Sequence, residues 1–249
     1  MVKREKHLLS LLLGLTLVAC GGGEVSEDKV EPKVFEGVGV PCDDGPTCRG
    51  SEWPEWELED FQPNSSRFET SYGLKEFKGM VTVMSLHAAW CGYCRAQAMS
   101  MDKMWKELQA EGHRVQFVTV NKADAAKEED QHQMVYVKGD DGEMVKGDDG
   151  KPQYRCTFPL LQDTNDAGVW ALHQGSKDDF FIYHADGTLA LYLPHVSGSP
   201  RNGEITTRLS TDAGFSNLKN AILWVLGQEK GLSTVTNPEN STSTTASGS

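Results

Sequence analysis

The residues with the most definite chemistry are Trp90-Cys91-Gly92-Tyr93-Cys94. Two cysteines separated by two residues, set where a helix begins, divide the work of thiol–disulfide exchange between them. The first lies at the exposed end of the opening turn. There, unpaired backbone N–H groups and the positive helix terminus stabilise a thiolate and pull its pKa below an ordinary value of about 8.5. The second, almost one turn later, is shielded and attacks a mixed disulfide formed by the first. A zinc knuckle uses the same spacing but needs two further ligands at comparable spacing, and no such pair occurs. Cys91 and Cys94 are therefore the candidate catalytic residues and a reversible disulfide, with Trp90 bordering them, and neither a metal nor another cofactor is expected. A permanent local disulfide is the alternative reading.

The elements that must hold this pair are legible around it. Residues 80–86 form a short β-rich apolar run typical of a buried strand. From Cys91 to Glu111, Ala98, Met101, Met104, Trp105 and Leu108 recur at helical spacing, and Gly112 closes the segment. Residues 115–120 are a second strand. Strand, helix and strand in this order make a βαβ unit, with parallel pairing and a right-handed crossover. Residues 122–155 interrupt the pattern with acidic sequence in which Val-Lys-Gly-Asp-Asp-Gly occurs at 137–142 and again at 145–150. Without EF-hand spacing, two Asp-Gly turns joining short strands as an exposed hairpin are expected there. A short helix over 165–173, strands at 180–183 and 188–193 about an Asp-Gly turn, and an amphipathic helix over 215–226 complete the order. The expected fold class is α/β, a thioredoxin-like fold with a central mixed sheet flanked by helices and an acidic hairpin insertion.

The chain has 249 residues, with 24 Lys and Arg against 36 Asp and Glu, a formal charge of -12 and a mean hydropathy of -0.46. That acidity argues against a nucleic-acid partner, which needs clustered Lys and Arg. No apolar run reaches the roughly 18 residues of a spanning helix. Lys3, Arg4 and Lys6 precede an apolar stretch from Leu8 to Ala19, a secretory signal. Leu17-Val18-Ala19-Cys20 resembles the lipobox of bacterial lipoproteins, which implies cleavage before Cys20 and lipidation of that residue. Two or three acyl chains give a stable membrane anchor. The absence of Asp after Cys20 favours the outer membrane under the enteric sorting rule, so a bacterial envelope location is expected, at the outer membrane or its periplasmic face. The expected organisation is a signal peptide at 1–19, a flexible tether at 20–52, a domain at 53–230 and a Ser/Thr-rich disordered tail at 231–249. In the tether, Cys42 and Cys48 flank turn-forming residues and suggest a small disulfide loop in an oxidising compartment.

The remaining candidates carry two readings each. Cys156 either resolves an oxidised Cys91 or is a buried apolar thiol, burial being favoured. His87 either shuttles a proton beside Cys91 or packs in the core, packing being favoured.

Residues 81–94 resemble the thioredoxin superfamily. Residues 169–183, Val-Trp-Ala-Leu-His-Gln-Gly-Ser-Lys-Asp-Asp-Phe-Phe-Ile-Tyr, resemble the N-terminal domain of selenoprotein P. The resemblance spans roughly residues 50–228, with 122–155 diverging. It implies that Cys91 stands at that family's selenocysteine position and Cys94 at the resolving position. It implies the redox domain and not selenium delivery, because a Ser/Thr tail stands where the animal proteins carry a selenocysteine-rich region. Thioredoxins also place a cis-proline opposite the cysteine pair. The corresponding position falls at Lys177-Asp178, without proline. Ser176 and Lys177 are expected to border the site instead, with Lys177 either favouring the thiolate or remaining a solvated loop residue. The function expected is an envelope-tethered thiol–disulfide oxidoreductase acting on protein or small-molecule thiols and disulfides. A thiol peroxidase, or a binding lipoprotein that keeps the fold without catalysis, are the alternatives.

Overall fold

The computed structural model describes Phe35, residues 42–196 and residues 205–228. The signal segment, Cys20 and the Ser/Thr tail lie outside the described residues. The chain divides into two units, Met1–Val30 and Glu31–Ser249, and all described residues belong to the second.

Seven strands form one mixed sheet: β1 (Leu58–Asp60), β2 (Ser71–Tyr72), β3 (Val81–His87), β4 (Val115–Asn121), β5 (Leu160–Gln162), β6 (Phe180–Tyr183) and β7 (Leu189–Leu193). Their order is β2-β1-β5-β4-β3-β6-β7. Pairing is parallel for β3–β4 and β4–β5, and antiparallel for β3–β6, β6–β7, β1–β5 and β1–β2. Helices are α1 (Gly92–Ala110), α2 (Glu128–Val135), α3 (Val169–Leu172) and α4 (Asp212–Gln228).

The central strand β3 is buried at every position, as its near-continuous apolar sequence requires of a strand covered on both faces. Alternation then sends its side chains into two cores. Val81 and Val83 join Phe117, Phe180 and Ile182 beneath α1 and α4, against Ala98, Met101, Met104 and Leu108 from the first helix and Leu218, Ile222 and Val225 from the second. Met84 and Leu86 join Val118, Val120, Phe181 and Tyr183 on the opposite face, with Trp56, Leu74, Phe77 and Val169. Met101, Met104 and Leu108 are fully buried, each contributing about 1.5–3 kcal/mol by leaving water. This burial anchors α1, and with it the cysteine pair at its start, on β3 and β4.

Several segments differ from the sequence pattern. The strands β1 and β2 carry too few residues for alternation to register. Within the 122–155 segment, Glu128–Val135 is a helix of two turns; Glu128, Glu129 and Asp130 in its first turn complement the positive helix end. Beyond it the repeat forms paired turns: Gly142 N–H donates to Gly139 O and Gly150 N–H to Gly147 O, while Val145 N–H reaches Val137 O and Gln153 N–H reaches Val145 O. Val137 N–H donates to Gln153 O, which ties the three short segments together. Cys42 and Cys48 form a disulfide. The chain after this loop is held against the β6–β7 turn, Gly50 N–H donating to Leu189 O and Trp53 N–H to Gly187 O. Among the described residues, no helix is long and apolar enough to cross a membrane.

Candidate functional site

The site forms where the parallel strands β3 and β4 end. After His87 the chain turns through Ala88-Ala89-Trp90, with Cys91 N–H donating to Ala88 O at 2.8 Å. Asn121, the last residue of β4, fixes that turn. Its Oδ1 accepts from Ala89 N–H at 2.8 Å, and its Nδ2 donates to Ala125 O and Gln162 Oε1. Trp90 is 47% exposed and its indole N–H donates to Asp124, so the ring stands beside Cys91 with a fixed orientation.

Cys91 is the N-cap of α1 and begins the helix through Arg95 N–H to Cys91 O at 3.1 Å. The first turn contains no acidic residue, so nothing within it offsets the positive helix end. Cys91 is partly exposed; Cys94 is buried, and both are free thiols. This is the division of access that exchange requires.

The opposing wall is the loop from Gly175 to Asp179. A Cβ at Gly175 would stand 2.5 Å from Leu86 Cδ1 and 3.0 Å from Phe181 Cζ, so only glycine allows this close approach. The loop is stitched to β3 by Asp178 N–H to Leu86 O at 2.7 Å and Leu86 N–H to Asp179 O at 3.1 Å. Asp178 holds the left-handed backbone region at φ 71°, where side chains other than glycine are uncommon and aspartate is among the better tolerated. Among the described residues no peptide bond is cis. The loop thus takes the place opposite the cysteines with a trans Lys177-Asp178 bond.

Lys177 reaches back over the pair. Its Nζ lies 3.6 Å from Cys91 Sγ and 3.9 Å from Cys94 Sγ, and it also pairs with the Asp178 carboxylate. Ser176 is exposed beside it, its N–H donating to Asp179. Partial burial acts to raise the Cys91 pKa. Hydrogen bonds from the Cys94 backbone and thiol, then the Lys177 charge, outweigh that and hold it below the ordinary thiol value despite Asp178. Burial pushes the Cys94 thiol strongly up; the backbone near Ala88 opposes this, and Asp178 and Cys91 add to it. The two sulfurs are therefore tuned apart. Burial tends to lower the Lys177 ammonium, but Asp178 and the two cysteines more than offset it and keep the group charged.

Two further residues of the site, Asp178 and Asn121, lie outside the Cys-Gly-Tyr-Cys motif and its flanking strand. Asp178 is completely buried, and its Oδ1 lies 3.8 Å from His87 Nε2. The pattern that hints at it is Lys-Asp-Asp directly before an apolar strand, since an acid entering a buried strand needs a reason to be there. Asn121 is the other, a polar residue ending an otherwise apolar run. His87 is packed in the core edge-on to Phe180 with neither ring nitrogen hydrogen-bonded, and burial lowers its pKa to about 4. Cys156 is fully buried, with Gln62 Nε2 3.6 Å from its sulfur. Burial, reinforced by Asp102, raises its pKa and makes it an inert thiol. Among the described residues no group of three or more His, Cys, Asp or Glu is arranged to hold a metal.

Comparison with known proteins agrees with this architecture. Residues 50–190 match the model of the AhpC/TSA family. The chain is 26% identical over 185 residues to selenoprotein P of Homo sapiens, covering 73% of this chain and 38% of that protein. It is 28% identical over 141 residues to selenoprotein P of Bos taurus, covering 56% and 29% respectively. The matched segments thus span well under half the length of these relatives. A solved structure, the thioredoxin domain of a thiol-disulfide oxidoreductase from Bacteroides vulgatus, is similar at 13% identity and a TM-score of 0.45, with 70% of this chain and 98% of that chain covered. With a βαβ unit carrying the cysteine pair, an antiparallel β6–β7 hairpin and the helix α4, the chain belongs to the AhpC/TSA family of the thioredoxin superfamily.

Proposed function

We propose that this protein is an envelope-tethered thiol–disulfide oxidoreductase working through Cys91 and Cys94. The observation that carries the reading is the Lys177 ammonium set 3.6 Å and 3.9 Å from the two sulfurs, one partly exposed and the other buried. A cation at that place favours the thiolate of whichever cysteine is about to react. In the reducing direction, the Cys91 thiolate attacks a substrate disulfide and forms a mixed disulfide, releasing the first substrate thiol. The Cys94 sulfur then attacks Cys91, the second substrate thiol leaves, and the domain holds the Cys91–Cys94 disulfide. Oxidation of a substrate dithiol follows the same steps in reverse.

Trp90, Ser176 and Lys177 border Cys91 and provide the surface against which a substrate chain lies. Substrates are thiols and disulfides of proteins or small molecules. Attachment to the bacterial envelope, at the outer membrane or its periplasmic face, rests on the lipobox-like Leu17-Val18-Ala19-Cys20. The peroxidase reading has less support. Arg95, the arginine in the first turn of α1, is committed to Ala89 O at 3.0 Å and Gln133 Oε1 at 2.7 Å rather than to Cys91.

The test is reduction of insulin by dithiothreitol with the full chain in detergent. The parent accelerates insulin precipitation and Cys91→Ser does not. Equal activity of the two proteins would remove the cysteine pair from the chemistry. Cys94→Ser traps a mixed disulfide at Cys91, visible by mass spectrometry.

A further inference from the structure

The chain is strongly acidic as a whole, with a formal charge of -12, yet the surface around Cys91 carries cations. Lys177 Nζ lies 3.6 Å from Cys91 Sγ and 5.7 Å from the centre of the Tyr93 ring, and Arg208 Cζ lies 5.9 Å from the same centre. Arg95, in the first turn of α1, spends its hydrogen bonds on the neutral oxygens of Ala89 and Gln133. Carboxylates do not cancel this charge. The first turn of α1 has none, Asp178 is taken up by Lys177, and Asp124, on the Trp90 side, is taken up by Lys122 and the indole.

Arg208 differs from the other two cations. It is exposed, and among the described residues no carboxylate pairs with it. A ring places a guanidinium without neutralising it. The planar fork of N–H donors, which fits a carboxylate through two parallel hydrogen bonds, is therefore left for a ligand. The backbone on either side is fixed: Leu209 N–H donates to Gln97 Oε1 at 2.8 Å, and Asn217 Nδ2 donates to Thr206 O at 3.0 Å. The same stretch holds donors in excess. The Tyr93 hydroxyl, Gln97 Nε2 and Thr207 Oγ1 are buried without a hydrogen-bond partner, Gln97 and Thr207 being 2% and 1% exposed. Tyr93 and Gln97 share one face of α1, four residues apart. Unspent donors and an unpaired cation in one place set a positive potential there.

We propose that Arg208, with Tyr93 and Lys177, forms a carboxylate-binding subsite beside Cys91, and that the cysteine pair exchanges with disulfides bearing a carboxylate a few bonds from sulfur. The assignment rests on the oxidoreductase reading and narrows its substrates. The substrate carboxylate docks on the Arg208 guanidinium beside the Tyr93 ring, which lies between the two cysteines in the sequence, and this brings a substrate sulfur to Cys91. The exchange itself is unchanged. Cys91 forms a bond to one substrate sulfur, the other leaves as a thiolate with the electron pair, and attack by Cys94 then releases the first. Arg208 reaches the site through the Tyr93 ring rather than through a sulfur, so it governs which disulfide is chosen.

The experiment measures reduction of three disulfides of similar size by the reduced full chain in detergent: dithiodipropionate, which is anionic, hydroxyethyl disulfide, which is neutral, and cystamine, which is cationic. Rates are taken as ratios to the neutral disulfide within each protein, and the variant's ratio is divided by the parent's, which cancels differences between leaving groups. Arg208→Gln should lower the anionic-to-neutral ratio roughly fivefold, the size of an exposed ion pair, without lowering the cationic-to-neutral ratio. Arg208→Lys should keep part of the anionic preference. In the parent, the anionic-to-neutral ratio should fall toward that of Arg208→Gln between about 0.01 M and about 1 M salt, as the Debye length shrinks from about 30 Å to about 3 Å. An Arg208→Gln ratio equal to the parent's overturns the subsite, as does an equal fall in the ratios of both charged disulfides. A parent ratio indifferent to salt also overturns it, a measurement that needs no variant to fold. A parent that reduces all three disulfides no faster than Cys91→Ser overturns the oxidoreductase reading itself, a separate outcome, because the neutral disulfide does not use Arg208.

Discussion

Lys177 Nζ lies 3.6 Å from Cys91 Sγ, although 86 residues separate the two in the chain. The contact brings the loop before β6 onto the first turn of α1 and makes a cation part of the cysteine environment. Its side chain is 37% exposed, so solvent screens part of the effect.

Lys177→Met should raise the Cys91 pKa and slow its reaction with iodoacetamide at pH 7 by roughly fivefold, the size of a partly screened charge at this distance. The rates of parent and variant should converge near pH 10, where both thiols are ionised. A variant that alkylates as fast as the parent at pH 7 would remove Lys177 from the site electrostatics.

Gly175→Ala places a methyl group into Leu86 and Phe181. The expected cost is about 1–3 kcal/mol, read as a lowered urea midpoint with an unchanged slope. Because the same loop carries Lys177, Cys91 alkylation at pH 7 should slow as well. Loss of stability with parent-like thiol reactivity would separate the loop from the site.

Acid should weaken the fold through two buried histidines. Burial lowers the pKa of His87 to about 4 and of His173 to about 3, against about 6.5 in the unfolded chain. The unfolded state therefore binds more protons in the window from about pH 6.5 down to the folded values, and stability is lost as pH falls through it. Each histidine should cost roughly 1 kcal/mol per pH unit inside that window, measurable as a drop in the urea midpoint between pH 7 and pH 5. His173 accepts from Trp56 Nε1 at 3.0 Å, with Tyr183 O–H 3.1 Å from its other nitrogen, so its protonation also breaks a core contact. Midpoints that do not move would contradict the burial of both rings.

Cys156→Ala should leave insulin reduction within about twofold of the parent, since a buried thiol of raised pKa takes no part in exchange. In the native parent, iodoacetamide should label Cys91 and spare Cys156 until denaturant is added. Native labelling of Cys156, or loss of activity on its removal, would give it a redox role.

Much of this protein is written locally. The apolar runs of β3, β4, β6 and β7 and the helical stripe of α1 declare themselves because each buries a continuous face. A cysteine at a helix start acquires its basic chemistry from the backbone beside it, within a few residues. The strands β1 and β2 stayed hidden because two or three residues carry no period and are specified by their partners across the sheet. The helix α2 stayed hidden because only Met134 and Val135 of its residues are buried, too little to mark an amphipathic face.

What the sequence by itself determined was the βαβ core, the position of the Cys91–Cys94 pair and the candidacy of Lys177. Spacing along one strand or one helix is sufficient information for the first two, whereas Lys177 is marked by the resemblance of residues 169–183 to selenoprotein P. Only the tertiary structure decided that Lys177 touches both sulfurs, that the Asp178 carboxylate paired with it is buried, that Asn121 pins the turn before Cys91, and that Cys156 is sealed away. Each of these depends on contacts between segments distant in the chain, and on burial, which changes the charge state a group prefers. Neither is a property of neighbouring residues.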